Sequence, residues 1–172
     1  MREGLRAGEA KALTWSDLDL ARCIVRLDTN KTNDPRAWAL DRGVGLALEA
    51  WREHHHPRHP RPPSDALVFA RPNGGALDVR ADDFRLDLKR AGVRRSELFE
   101  RSEARAPIRL HDLRATFVTV SLANGRSETW VADRTGHRSS EMINRYRRPA
   151  RTHAELGLGG LQPLHEAIPE LR

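Results

Sequence analysis

The sequence is poor in cysteine, in aromatic residues and in long apolar segments, and each shortage excludes a class of protein. Its single cysteine, Cys23, cannot form an internal disulfide. No apolar run approaches the roughly 18 residues that a membrane helix needs. Residues 1–6 also lack the apolar segment of a secretory signal. We therefore expect a soluble protein of a reducing, cytoplasmic compartment.

Lysine and tyrosine are scarce as well. Only three of the 30 basic residues are lysines, namely Lys11, Lys31 and Lys89, and the chain has one tyrosine, Tyr146. A GC-rich genome is sufficient to explain the excess of arginine, although arginine also grips phosphate through two parallel hydrogen bonds. The net charge of +6 favours an anionic partner, and nucleic acid is the commonest one.

The hydrophobic pattern predicts a mainly α protein with a small antiparallel β-sheet, an α+β fold. With 172 residues, of which 38% are hydrophobic, the chain can bury the core of one compact domain. Alternating apolar residues in 18–27 and 37–40 flank turn-forming residues, which predicts a β-hairpin with Lys31 near its tip. A further short strand is predicted at 67–69.

Helical periodicity covers most of the remaining chain. Prolines interrupt the histidine-rich segment 54–63, and the glycines after Pro149 indicate a linker followed by a short terminal helix or tail. We therefore divide the chain into a domain of residues 1–150 and a tail of residues 151–172. Helices are predicted at 8–14, around 46–51, from Asp78 to Gly92, at 110–124, from Ser127 to Gly136, and from Ser139 or Ser140 through Tyr146.

Two short motifs carry residues suited to binding an anion. His111 and Arg114 are three positions apart on a predicted helix and are expected to share a face. His137 follows Gly136 in the bend between two helices, where it can reach an anion at a helix N-terminus. Taken singly, each is equally an ordinary polar surface residue, and Tyr146 is equally a half-buried core ring with a hydrated hydroxyl.

In combination, the order His-x-x-Arg, Gly-His and Tyr resembles the tyrosine recombinase/integrase family. Segments in the first half of the chain also match the family. The resemblance therefore runs from residue 4 to about residue 150, and all six catalytic positions of the family are filled. Where the family's motif reads Leu-Arg-His-Thr-Phe, this chain differs only in having Ala115 in place of the histidine. The matching segments are Gly4-Leu5-Arg6-Ala7-Gly8-Glu9, Leu13-Thr14-Trp15-Ser16-Asp17-Leu18-Asp19, Asn30-Lys31-Thr32 and Leu113-Arg114-Ala115-Thr116-Phe117.

The resemblance implies cleavage and rejoining of DNA through a 3′-phosphotyrosyl intermediate, with Tyr146 as the nucleophile. Arg6 and Arg114 are implied to clamp the non-bridging phosphate oxygens, and Lys31 to protonate the leaving 5′ oxygen. His111 is implied to act as a base or hydrogen-bond partner, and His137 to donate a hydrogen bond to the phosphate. The scheme requires no cofactor and no metal ion.

Other mechanisms fit the residues less well. A two-metal nuclease needs clustered carboxylates, but Asp82 and Asp83 diverge on a helix, and Asp17 and Asp19 belong to a matched motif. The histidines of segment 54–59 could hold a transition metal loosely, but are more easily explained as solvated or near DNA. A type IB topoisomerase would use the same chemistry, yet the Gly-Leu-Arg and Lys-Thr contexts favour an integrase.

The resemblance also implies partners. We expect double-stranded DNA and, during recombination, a tetramer on two duplexes, with the chain monomeric in isolation and associated with a bacterial nucleoid when bound. Residues 151–172 could dock on a neighbouring protomer or fold back on their own chain. Because Arg6 lies close to the start, the domain is expected to lack its first helices and the usual DNA-clamping domain. The alternative function is a truncated, non-catalytic DNA-binding remnant of a mobile element.

Overall fold

A computed structural model describes residues 2–28, 34–55, 62–158 and 160–171, with His55 described by its backbone alone. Within these ranges the chain forms α-helices, four short 3-10 segments and one small sheet. The strands are β1 (Leu18–Asp19), β2 (Ile24–Leu27) and β3 (Arg36–Ala39). The helices are α1 (Ala7–Ala12), α2 (Arg42–His55), α3 (Ala81–Arg90), α4 (Asp112–Ala123), α5 (Glu128–Thr135), α6 (Ser140–Asn144), α7 (Arg147–Glu155) and α8 (Leu164–Ala167).

The sheet is antiparallel in the order β1-β2-β3, as the alternating apolar pattern predicts. Val25 is paired with Trp38 and Leu27 with Arg36, so that these four side chains lie on the buried face. The two long strands of the predicted hairpin are thereby confirmed. Its tip, with Lys31, falls outside the described residues.

Two apolar clusters form the core. The first joins the sheet to α2 and to the loops that flank α1, with Val25 and Val68 almost completely buried. The second lies between α4, α5 and α6 and consists of Phe117, Val118, Val131 and Ile143. Contacts between α5 and β3 connect the two halves of the molecule. The segments that carry the candidate residues meet along this connection.

The segment 67–69 does not form the predicted strand. Leu67 makes an isolated bridge with Thr14, and the amide of Val68 donates to the carbonyl of Leu13 at 2.8 Å. The indole of Trp51 donates to the Val68 carbonyl, also at 2.8 Å. Because a loop and a side chain satisfy this backbone, no neighbouring strand is needed to cover it.

Several helix boundaries differ from the prediction, and helix α7 was not predicted. The third helix begins at Ala81 rather than near Asp78, because Arg80 is extended and its amide donates to the Asp83 carboxylate at 3.0 Å. The helix begun at Ser140 ends at Asn144 and so excludes Tyr146. Helix α7 then begins at Arg147, with Pro149 in its first turn, where a missing amide proton breaks no helical hydrogen bond.

The last residues lie against their own chain. Helix α8 and the 3-10 turn after it contact α2, and Leu164 packs on the first apolar cluster. A Cβ atom at Gly43 would lie 3.0 Å from the Leu164 amide nitrogen, so the glycine admits this close approach. None of the helices described is long and apolar enough to cross a membrane.

Candidate active site

Arg6 stands immediately before α1, and the glutamate of its own motif holds it in place. The Glu9 carboxylate accepts from the Arg6 amide and from Arg6 Nη1, both at 2.7 Å. Arg6 Nη2 also lies 3.5 Å from the carbonyl oxygen of Gly136, a residue that comes 130 positions later in the sequence. The matched segment of residues 4–9 therefore builds a fixed guanidinium at the edge of the α5–α6 bend.

Arg114 is buried in the first turn of α4 and links two distant segments. Its Nη1 donates to the Gly4 carbonyl at 2.6 Å, and its Nη2 donates to the Thr135 carbonyl. Burial lowers the pKa of Arg114 to about 10, and the nearby charge of Arg6 acts in the same direction. The side chain still carries its charge at neutral pH, and two carbonyl acceptors leave other guanidinium protons available.

His111 precedes α4 directly, three residues before Arg114. Its side chain is exposed, whereas Arg114 is 6% exposed, so the two residues contribute different surfaces of the same helix end. The charge of His111 is nevertheless close enough to lower the pKa of His137. His111 thus borders the group of Arg114 and His137 from the solvent side.

His137 occupies the bend after α5. Gly136 ends that helix in the left-handed conformation, with φ of 62°, and turns the chain towards the site. The Thr135 hydroxyl donates to the Val131 carbonyl at 2.7 Å, so its oxygen is left to accept from His137 Nδ1 at 2.9 Å. In the neutral ring, Nε2 is therefore the acceptor nitrogen.

The surrounding cations determine the protonation of His137. Burial lowers its pKa to about 4, and the charges of Arg114 and Arg6 add to this effect. Arg145 and His111 contribute in the same direction. The imidazole is consequently neutral near pH 7 as long as no anion lies beside it.

Tyr146 lies in the short break between α6 and α7. Its amide donates to the Ile143 carbonyl at 2.9 Å, and its half-buried ring packs on the second apolar cluster. The ring centroid is 6.4 Å from that of His137, with 28° between the planes. Tyr146 also acts electrostatically on Arg114, so the predicted nucleophile and the predicted clamp lie in one site.

The arginines that flank Tyr146 have different surroundings. Arg147 donates through Nε to the Glu128 carboxylate at 2.5 Å, which ties the start of α7 to α5. Arg145 is exposed and acts on His137. Of these two arginines, Arg145 is the one that belongs to the cationic group around His137.

Two residues of the site were not predicted as functional. Arg36 is buried on β3, and its Nη2 lies 2.6 Å from the same Glu9 oxygen that binds Arg6. The signal was present, because strand alternation places Arg36 on the buried face with Trp38, where a charge needs a partner. Glu9 appeared only as part of a motif, and it proves to be the carboxylate shared by both arginines.

Among the residues that the structure describes, the other candidates contribute no further group to this site. The carboxylates weighed as metal ligands serve as local acceptors: Asp17 accepts from Thr14, Asp19 from Arg22 and Asp82 from Arg85. Among the residues described, no group of three or more acidic, histidine or cysteine side chains could hold a metal ion. Lys31, His56 and His59 lie outside the described ranges.

Comparisons with known proteins show which folds this chain resembles. Among solved structures, the XerA recombinase matches with a TM-score of 0.64 and 19% identity, covering 93% of this chain and 56% of the other. The XerH site-specific recombinase bound to difH gives 0.62 and 21%, covering 91% and 42%. The Tn1549 transposon integrase with circular intermediate DNA gives 0.58 and 21%, covering 90% and 55%.

These similarities establish the fold, a mainly helical domain with a small antiparallel sheet like that of the tyrosine recombinases. The chain spans about half the length of the solved chains it matches. A search of curated proteins found no match. The model of the phage integrase family matches residues 1–153, which include the candidate residues Arg6, Arg114, His137 and Tyr146. This chain belongs to the phage integrase family.

Proposed function

We propose that this chain cleaves and rejoins DNA strands as a site-specific tyrosine recombinase, with Tyr146 as the nucleophile. The observation that carries the proposal is a shortage of negative charge at the site. Arg6 and Arg36 act electrostatically on Arg114, and Arg6 acts on Arg36; in the described part of the chain, Glu9 is the carboxylate that offsets these charges at Arg114. A phosphodiester anion beside Arg6 and Arg114 would relieve this repulsion.

The geometry fits the chemistry of phosphoryl transfer. Arg6 and Arg114 present guanidinium groups that can bind the two non-bridging oxygens and stabilise charge in the transition state. Tyr146 Oη attacks phosphorus, the bond from phosphorus to the 5′ oxygen breaks, and the phenol proton passes to His111 acting as the base, or to water. Lys31 is proposed to protonate the departing oxygen, and His111 and His137 to bind the phosphate.

The resulting 3′-phosphotyrosyl bond keeps the energy of the phosphodiester. A 5′ hydroxyl from a second strand can attack it and release Tyr146, which completes strand transfer without a cofactor. The proposed partner is double-stranded DNA, since XerH and the Tn1549 integrase were solved with DNA. Residues 1–150 are proposed as the catalytic domain. Four protomers would assemble on two DNA duplexes in a bacterial nucleoid.

A covalent trapping experiment tests the proposal without knowledge of the target sequence. The probe is a pool of random-sequence duplexes whose 3′ ends carry a p-nitrophenyl phosphate. Attack by Tyr146 forms the phosphotyrosyl bond and releases p-nitrophenolate, a leaving group that needs no protonation. We expect an SDS-resistant protein–DNA adduct, formed in the presence of EDTA, whose attached DNA can be sequenced.

Tyr146→Phe is the matched control, because it removes the hydroxyl and keeps the packing of the ring on the second apolar cluster. The variant should yield no adduct while binding DNA as well as the parent chain does. An equal amount of adduct from Tyr146→Phe would overturn the proposal. Binding by both chains with no adduct from either would identify the alternative, a non-catalytic DNA-binding remnant.

A further inference from the structure

Arg36 is a buried charged residue to which the mechanism above gives no role. Its side chain is 7% exposed, as is that of Glu9, and the two form an ion pair at 2.6 Å. Arg36 Nη1 also donates to the carbonyl of Arg134 at 2.8 Å, in the last turn of α5. One guanidinium therefore connects β3 to both sides of the candidate site.

Each of these two contacts is with a group that is itself next to a proposed catalytic residue, in space or in sequence. Through Glu9, Arg36 reaches Arg6, because both guanidinium groups bind the same oxygen, Oε1. Through the Arg134 carbonyl, Arg36 holds the end of α5, two residues before Gly136 and three before His137. Buried ion pairs with fixed geometry are suited to hold side chains whose own contacts with substrate are weak or transient.

The packing around Gly136 shows how close this contact is. A Cβ atom at Gly136 would lie 2.9 Å from Arg36 Nη1 and 3.1 Å from its Cζ. The guanidinium thus lies directly against the backbone of the bend that carries His137. A displacement of Arg36 would change the position of this bend as well as that of Glu9.

We infer that Arg36 is a positioning residue for the proposed strand-transfer reaction. It fixes the position of Arg6 through Glu9, and the position of His137 through the end of α5. The inference rests on the proposed function. It gives Arg36 no contact with DNA, because the side chain is buried. Arg36 lies on β3, the strand that follows the Lys31 segment in the sequence. Arg36 therefore joins the hairpin to the proposed phosphate-binding side of the site, which holds Arg6 and His137.

A lysine could not replace this function. A single ammonium keeps the charge but lacks the planar fork that meets the Glu9 carboxylate and the Arg134 carbonyl at the same time. The simple alternative is that Arg36 only contributes to folding. Arg36→Lys, Arg36→Gln and Glu9→Gln separate these possibilities when they are compared with Arg22→Gln, which removes an exposed arginine paired with Asp19.

The test uses two forms of a duplex selected in the trapping experiment. One carries the 3′-p-nitrophenyl phosphate, and the other carries the corresponding methylphosphonate, in which a methyl group replaces one non-bridging oxygen and removes the negative charge. Release of p-nitrophenolate is followed for both. Correctly positioned cations accelerate the reaction of the charged substrate more than that of the neutral one, whereas a general loss of folded protein lowers both rates equally.

We expect Arg36→Gln and Arg36→Lys to slow the phosphodiester reaction by about ten- to hundredfold, the range typical of residues that orient catalytic groups. The loss on the methylphosphonate should be less than about threefold, Glu9→Gln should show the same contrast, and Arg22→Gln should change neither rate. The ratio of the two rates remains informative even when part of a variant is unfolded.

The contrary outcomes are distinct. Equal losses on both substrates, or a parent-like Arg36→Gln, would overturn the positioning role while leaving the proposed function standing. A parent chain that forms no Tyr146 adduct would overturn the proposed function, and the role of Arg36 with it.

Discussion

At the scale of single residues, the site is defined by buried positive charge that the protein itself compensates only in part. Arg36 and Arg114 are both buried, and burial is the largest cause of the lowered pKa of each. Glu9 partly offsets this cost for both. Buried charge without full compensation destabilises a fold, so its presence is better explained by a bound anion than by stability.

Arg114 is predicted to stabilise the fold through the two backbone carbonyls to which its planar side chain donates. Arg114→Lys keeps a cation but leaves one of two buried carbonyls, of Gly4 or Thr135, without a donor. We expect the free energy of unfolding to fall by about 1–3 kcal/mol, measured by urea denaturation. Arg109→Lys, at an exposed arginine paired with Asp112, should cost less than about 0.5 kcal/mol.

His137 is predicted to take up a proton when DNA binds. Its Nδ1 already donates to Thr135, so donation to a phosphate oxygen requires protonation of Nε2. The pKa of His137 is about 4 beside Arg114, Arg6, Arg145 and His111, and a phosphate placed among these cations raises it. At pH 6 the ring is therefore neutral in the free chain and gains proton occupancy in the complex.

Calorimetric titration of duplex DNA into the Tyr146→Phe chain measures this uptake. Binding enthalpies at pH 6 in buffers of different ionisation enthalpy should reveal uptake of up to about one proton. The uptake should disappear on adding His137→Gln. Uptake that persisted in the double variant would assign the proton to another group, such as His111.

At the scale of elements, the bends between helices place the functional groups. Gly136 ends α5 and directs His137 into the site, while the break between α6 and α7 holds Tyr146 beside it. A continuous helix through residue 146 would fix the tyrosine ring by helical geometry alone. In the break, its position depends on the packing of Ile143 and the second apolar cluster.

Gly136→Ala is predicted to harm the site more than a comparable substitution elsewhere. Gly125 has the same left-handed conformation, with φ of 78°, but nothing lies within 4 Å of a Cβ atom there. Both substitutions should cost about 1–2 kcal/mol of backbone strain. Gly136→Ala additionally pushes against Arg36, so we expect a lower unfolding midpoint and slower adduct formation than for Gly125→Ala. Equal behaviour of the two variants would contradict the close packing of Arg36.

At the scale of the whole molecule, the site lies where the first residues of the described chain meet α4 and the bends that follow α5 and α6. Arg6 comes from the first ten residues, Arg114 from α4, and Tyr146 from the α6–α7 break. Helix α8 then returns to α2 and covers the first apolar cluster. The site thus depends on the closure of both apolar clusters, and tail contacts far from Tyr146 contribute to stability.

The tail is predicted to fold on its own chain when the protein is free. Leu164→Ala should lower the free energy of unfolding by about 1–3 kcal/mol, because Leu164 packs on the first apolar cluster. Leu161→Ala, at a residue 47% exposed, should have little effect. Unfolding midpoints independent of protein concentration would support the intramolecular contact, and midpoints that rise with concentration would indicate docking on a neighbouring protomer.

The sequence alone was sufficient for the elements whose signals are local. Alternation predicts β2 and β3, Ser127 and Gly136 delimit α5, and the motif order indicates the family. Where a distant contact replaces a local signal, the prediction fails. The segment 67–69 satisfies its backbone through Leu13 and Trp51. Helix α7 was missed for a local reason instead, because proline is accepted in a first turn and Pro149 therefore does not end a helix.

Sequence by itself determined which residue types this chain offers for the proposed phosphoryl transfer, since a motif records identity and order. Only the tertiary structure decided that Arg114 is buried and bound to two carbonyls, that His137 is neutral, and that Glu9 is shared by Arg6 and Arg36. The physical reason is that burial, pKa and shared hydrogen bonds arise between residues as many as 130 positions apart. Such properties belong to the folded arrangement and to no single segment.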